Sequence, residues 1–257
     1  MSPLFPIVMP QVSKLHTFAE TGFHPLAAAV VKERYEKECL SAAFRILGEG
    51  QLSLTKILMI TDQAIDITNI KILLETILAR FSPNSGLYIF SNTSNDTLDY
   101  TGPKINRGSK AVFLGVGNEK RLLPHSFQGT IPRPFSHAMA FCRGCLLIDG
   151  PSYEQLRDSS SLAHHPDFEK WPLLIVVDDA AKTGDSDLEF LWTVFTRFDP
   201  SQDMVARTTE VRNHHLSYSL PLVIDARFKP SYPPEVSCDE ETKQLVDKKW
   251  SSYFTAT

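Results

Sequence analysis

Two stretches of this chain carry the same succession of apolar and polar positions. Residues 56–83, KILMITDQAIDITNIKILLETILARFSP, begin with a short apolar run and pass through an acidic turn. They continue with apolar residues at helical spacing and stop at a proline. Residues 172–200, PLLIVVDDAAKTGDSDLEFLWTVFTRFDP, repeat that order. Asp62 falls opposite Asp178, Arg80 and Phe81 opposite Arg197 and Phe198, and Pro83 opposite Pro200. An apolar run without alternation suits a parallel strand covered on both faces, which predicts strands at 57–61 and 173–177. Ile70, Leu73, Leu74, Ile77 and Leu78 form one stripe of a helix predicted over 68–81, with Asp66 or Thr68 as its cap. The matching helix is predicted over 187–198.

The remaining pattern fills in around these units. Pro3, Pro6 and Pro10 predict an edge strand or extended arm for 5–9. Residues 11–18 alternate as a strand does, and 26–31, LAAAVV, read as a buried strand. Tyr35, Cys39, Ala42, Ala43 and Ile46 predict a helix over 35–47, which Gly48 and Gly50 end. Further strands are predicted at 86–90, 111–114, 145–148, 205–211 and 220–224. Helices are predicted over 152–162, with Ser152 as cap, and over 239–250. Alternating strands and helices specify an α/β fold with mostly parallel sheets. The recurrence specifies two similar α/β lobes from an internal duplication, 1–124 and 125–257, the second ending in a helix. The proline-bearing segment 117–137 is the expected boundary. The competing expectation is one continuous sheet in which two helices look alike.

Composition narrows the partners. Of 257 residues, 42% are hydrophobic and 22% charged, the balance of an ordinary soluble globular protein. A net charge of −4 argues against a nucleic-acid surface. Four dispersed cysteines do not make a secreted disulfide framework. No apolar run approaches the roughly 20 residues of a membrane span, and the N-terminus lacks a basic segment followed by a long apolar run. The expectation is a cytoplasmic protein without a membrane span or nucleic-acid partner.

Candidate chemistry is sparse. Asp62, Asp66, Asp178, Asp179, Asp185 and Asp187 follow the two central strands. Ligands of open α/β sheets bind beyond the carboxyl ends of strands, so these acids could meet a cation or a ribose. Acids ahead of a helix equally serve as turn and capping residues. Cys142 and Cys145 form a lone C-x-x-C running into a strand, short of the four ligands of a structural zinc site. His164-His165 and His214-His215 are adjacent pairs, whose side chains point apart. Lys32, where the LAAAVV strand emerges, is a point charge suited to a phosphate or simply a solvated lysine.

At this point the residues resemble a family. LAAAVVKERYEKECLSAAFRILGEGQLSLTKILMITDQAID and the downstream GSKAVFLG resemble the C-terminal domain of the UbiD-type decarboxylases. In the second half, TRFDPSQD and IDARFKP resemble two further stretches of that family. The duplicated end is similar to the family's longer members. The resemblance implies a decarboxylase of aromatic or α,β-unsaturated carboxylic acids, in the setting of quinone biosynthesis and for the long form menaquinone. It implies prenylated FMN, with manganese and a monovalent cation, in the complete enzyme. No segment matches the family's flavin-binding barrel, which carries the catalytic residues and metal ligands. The chain is therefore expected to be a dimerisation and pocket-supporting part. It is expected to lack catalytic and metal-ligating residues, to bind no cofactor alone, and to partner that barrel in the same or a separate chain. Lys32 lies where the family's domain offers a lysine to the cofactor phosphate, so it is the one cofactor-binding residue the resemblance assigns. The alternative is a self-sufficient small-molecule binder with a site between the lobes. The implied homodimer predicts a light-scattering mass of twice 28.9 kDa; a monomer at every concentration would contradict it.

Overall fold

The two apolar runs lie at the centres of two five-stranded sheets with the same topology. The computed structural model describes residues 5–234, 236 and 238–253. The first lobe contains α1 (Phe5–Val8), β1 (Val12–Thr17), β2 (Leu26–Val31), α2 (Glu38–Gly48) and β3 (Ile57–Thr61). It continues through α3 (Ile70–Arg80), α4 (Pro83–Gly86), β4 (Leu87–Ser94) and β5 (Arg107–Gly115). The second contains β6 (Ala138–Cys142), β7 (Cys145–Asp149), β8 (Leu173–Val177), α5 (Ala180–Gly184), α6 (Asp187–Phe195) and α7 (Pro200–Asp203). Then come β9 (Met204–Ala206), β10 (Thr209–Arg212), β11 (His215–Tyr218), β12 (Leu222–Asp225) and α8 (Glu240–Tyr253).

Strand order is β1-β2-β3-β5-β4 in one sheet and β6-β7-β8-β12-β9 in the other. The three middle strands of each are parallel. The outer strand on each side is antiparallel. The β10–β11 hairpin stands apart as a two-stranded sheet.

The repeated helices explain how the lobes join. Leu73, Leu74, Ile77 and Leu78 of α3 and Phe190, Leu191, Val194 and Phe195 of α6 belong to one apolar cluster. That cluster also takes Ile57 and Met59 from the first sheet and Leu173 and Ile175 from the second. Phe141 of β6 stacks on Phe190 at 3.7 Å between ring centroids. Burying each such side chain contributes about 1.5–3 kcal/mol. The opposite face of the first sheet is covered by Cys39, Ala42, Ala43 and Ile46 of α2. The opposite face of the second is covered by Leu162 and Phe168 from short 3₁₀ turns and by Trp171 just after them.

Several sequence expectations fail for identifiable reasons. Residues 5–8 are helical rather than extended; Pro6 falls in the first turn, where its missing N–H costs nothing. The helix expected from 35 begins at Glu38, because Lys37 takes φ 68°. The cap of α3 is neither Asp66 nor Thr68 but Asn69, whose side chain accepts from Ile72 N. No α-helix forms over 152–162, where only a 3₁₀ turn begins at Ser160. The buried Arg227 guanidinium donates to Pro151 O and Leu156 O, and Asp158 takes the Ser160 N–H that a helix would have sent to Leu156. The strand expected over 205–211 is split into β9 and β10, because Arg207 N–H turns toward Ser219 O and Pro221 O.

A buried polar junction crosses between the lobes. Asp199, fully buried ahead of α7, accepts from Ser109 N and Ser109 Oγ of β5. It also accepts from Ser201 N and Ser201 Oγ. Asp199→Ala should cost about 3–5 kcal/mol, since buried donors left unpaired each cost about 1–3 kcal/mol. Urea unfolding checks this; the shared core predicts one transition for both lobes, shifted as a whole.

Candidate functional site

A cavity of about 160 Å³ opens between the lobes. His24-Pro25 leads into β2 and Lys56 into β3, so the cavity lies at the N-terminal ends of the parallel strands. The loop between β4 and β5 brings Asp96, Leu98, Asp99 and Tyr100 to it. Helix α6 of the second lobe brings Trp192, and the residue after its end brings Thr196. Tyr100 O–H donates to Thr196 Oγ1 at 3.4 Å, which ties the two walls.

The deep end is charged. Lys56 is 1% exposed, and its ammonium lies 3.2 Å from Asp99 and 3.3 Å from Thr101 Oγ1. It also lies over the Phe198 ring of the second lobe. Burial pushes the Asp99 carboxyl up, but Lys56 and the bonds from Thr101 outweigh it and hold it below its ordinary value. Lys110 of β5 is buried nearby and donates to Thr55 O at 2.9 Å. Burial pushes its ammonium down to about 8, with Asp99 opposing and Lys56 reinforcing the shift. Nearer solvent, His24 Nδ1 pairs with Asp96. Burial raises the Asp96 carboxyl, and the bonds from Leu98 N and His24 more than reverse it. None of these five groups was singled out from the sequence. The signal was there in Lys56 and Lys110, lysines set directly against apolar strand runs.

The residues that were singled out are dispersed. Lys32 follows β2, exposed, with its backbone N–H on Gln11 O. Asp62 and Asp178 do not cap their helices. Asp62 accepts from Gly117 N at 3.0 Å and Asp178 from Phe228 N at 2.8 Å. Gly117 lies two residues past β5, and Phe228 occupies the matching place after β12, so each lobe ties its third parallel strand to its second in the same way. Asp178 also meets Arg197 Nη1 at 3.2 Å. Asp66 turns the chain through Thr68, Asp179 caps α5 through Lys182 N, and Asp187 faces Lys71 at 3.5 Å. A cleft of about 490 Å³ beyond β8 is lined by Asp178, Asp179, Lys182 and Arg197. Cys142 and Cys145 pair across the β6–β7 turn, both buried. His215 packs on the Tyr88 ring, while His214 occupies the β10–β11 turn.

Among the described residues, no group of three or more His, Cys, Asp or Glu could hold a metal ion, and no helix is long and apolar enough to cross a membrane. A flavin needs a cradle of backbone and side-chain donors. Lys32 supplies one exposed charge, which fits a single phosphate contact made from outside and does not fit a complete cofactor site.

Residues 1–115 match the family model of the 3-octaprenyl-4-hydroxybenzoate carboxy-lyase C-terminal domain. The first lobe is a UbiD-type C-terminal domain. The chain is 51% identical over 254 residues to a subunit of 4-hydroxybenzoate decarboxylase from Chlamydia pneumoniae, covering 99% of this chain and 43% of that protein. It is 49% identical over 254 residues to an uncharacterized protein of Chlamydia trachomatis, covering 99% and 44%. The chain thus spans less than half the length of these relatives, and the likeness runs through both lobes. Vanillic acid decarboxylase of Sedimentibacter hydroxybenzoicus overlaps with a TM-score of 0.42 and 20% identity, over 51% of this chain and 27% of that one. That overlap is too low to bear on this chain's chemistry.

The buried lysine gives a pH signature. Lys110 has a folded pKa near 8, below the ordinary 10.4 of the unfolded chain. The unfolded state therefore binds more protons between these values, and stability rises with pH across that window. The gain is about 3 kcal/mol in total. Urea midpoints of Lys110→Met should lack this rise between about pH 8 and 10.

Proposed function

We propose that this chain is the C-terminal, pocket-supporting and dimer-forming part of a UbiD-type decarboxylase of aromatic or unsaturated carboxylic acids. The observation that carries this reading is the 51% identity, across both lobes, to a decarboxylase polypeptide of which the chain covers 43%. In this reading the chain works in the cytoplasm, in quinone (menaquinone) biosynthesis, with a flavin-binding barrel as its partner. Prenylated FMN, with manganese and a monovalent cation, supplies the decarboxylation chemistry when held by that barrel. This chain's contribution is rigid support. The shared core fixes the angle between the lobes, and the end of β2 presents Lys32 as a compact positive charge toward a phosphate.

The test uses the purified chain and the portion of the Chlamydia pneumoniae relative that it does not cover. Mixing them should give a stoichiometric complex by light scattering and release CO₂ from 4-hydroxybenzoate, which neither part does alone. Lys32→Ala should lower flavin retention several-fold at unchanged complex mass. Flavin binding and decarboxylation by this chain alone, or failure of the two parts to associate, would overturn the proposal.

A further inference from the structure

We propose that Cys142 and Cys145 form a reversible dithiol–disulfide pair, oxidised by a small disulfide such as oxidised glutathione, which locks the β6–β7 turn where it grips the first lobe. This goes beyond a supporting role and does not depend on the decarboxylase reading. Both cysteines are free, and they are Cα partners across the antiparallel β6–β7 ladder. Such partners lie about 4.5–5.5 Å apart, inside the roughly 4.4–6.8 Å that a disulfide spans between Cα atoms. The register shifts between Ala140 and Cys142, which brings Cys142 rather than Phe141 opposite Cys145. The two thiols also share a face. Cys142, Cys145 and Leu147 belong to the apolar cluster between the lobes, whereas Leu146 and Ile148 belong to the cluster on the other side of the sheet. Among the described residues, the pair joins no group of three or more His, Cys, Asp or Glu that could hold a metal ion.

The turn between the cysteines is held from three sides. Arg143 donates to Glu75 of α3 from its backbone N at 3.0 Å, from Nε at 2.9 Å and from Nη2 at 2.6 Å. Gly144 N donates to Pro124 O, in the segment that joins the lobes, and Gly144 O accepts from Leu173 N of β8. A disulfide across the base of this turn closes a four-residue loop and fixes that grip. The two thiols play different parts. Cys142 keeps 9% of its surface exposed and Cys145 none. Burial pushes the Cys145 thiol well up, and the neighbouring Cys142 adds to the shift. The thiolate is the nucleophile, so the more accessible Cys142 reacts first. Its thiolate attacks one sulfur of oxidised glutathione, which forms a mixed disulfide and expels one glutathione thiolate. Cys145 then loses its proton and attacks the Cys142 sulfur, expelling the second glutathione thiolate. One S–S bond is exchanged for another, two electrons pass to glutathione, and its two thiolates take up the two cysteine protons.

The test equilibrates the full-length chain with mixtures of reduced and oxidised glutathione, blocks free thiols and digests with trypsin. Cleavage after Arg143 separates the two cysteines, so their disulfide appears by mass as peptide 122–143 joined to peptide 144–157. The folded wild-type chain should yield that linked pair, and reduced glutathione should reverse it. Folding holds the thiols opposite each other, so the equilibrium should favour the disulfide about tenfold more in the folded chain than in the urea-unfolded chain. By linkage, oxidation should raise the urea midpoint of the wild type and leave that of Cys142→Ala unchanged. Cys145→Ala should stop at the mixed disulfide and carry glutathione on Cys142. Absence of the linked peptides from the folded wild-type chain, or an equal equilibrium in folded and unfolded chains, would overturn the proposal.

Discussion

Two helices buried between two sheets hold this protein together. Helices α3 and α6 follow the central strands of their lobes and turn their apolar stripes into a common cluster. Neither sheet could expose that face alone. With Phe190, Phe195 and Phe198 on one side and Leu74, Ile77 and Phe81 on the other, the exposed area would be a large apolar patch. The lobes repeat one topology and are continuous in core. Their relative position is set by packing rather than by the segment that links them, although that segment also docks. Arg121 donates to Leu78 O, and Pro124 O accepts from Gly144 N.

Polar groups then fix the register of that packing. Asp199 answers Ser109 across the lobes, and Lys229 sits against Asp203 and the Tyr232 hydroxyl within the second. Burying such charges is tolerable because each is hydrogen-bonded several times, and removing one partner leaves the others exposed to a dry interior. The same economy shapes the inter-lobe cavity. Lys56 lies 3.2 Å from Asp99 and helps hold its carboxyl below the ordinary value, and the chain gathers the cavity's paired polar side chains at the N-terminal ends of the strands. The usual ligand edge of an α/β sheet, at the C-terminal ends, carries the acids Asp62 and Asp178 instead, and both are engaged in backbone contacts.

The repeat itself, and the strands Leu26–Val31, Ile57–Thr61 and Leu173–Val177, were legible from residue order, because a parallel strand buried on both faces leaves an unbroken apolar run. So were the cores of α3 and α6, whose stripes carry helical spacing. The absent helix over 152–162 was not legible. Its carbonyls are claimed by Arg227, more than 70 residues later in the chain, and local propensity holds no record of such a partner. The roles of Asp62 and Asp178 were misjudged for the same reason. Their partners, Gly117 and Phe228, arrive from a neighbouring strand's loop rather than from the helix that follows.

The sequence by itself therefore determined the α/β class, the duplicated order of parts and the likeness to a UbiD C-terminal domain, all of which rest on local pattern. Only the tertiary structure decided that the two lobes share one core. It alone brought His24, Lys56, Asp96 and Asp99 together with Trp192 and Thr196 around one cavity. These residues are up to 172 positions apart (24 to 196), and what joins them is the burial of α6 against the first lobe. That contact is fixed by side-chain packing in three dimensions and leaves no periodic trace along the chain.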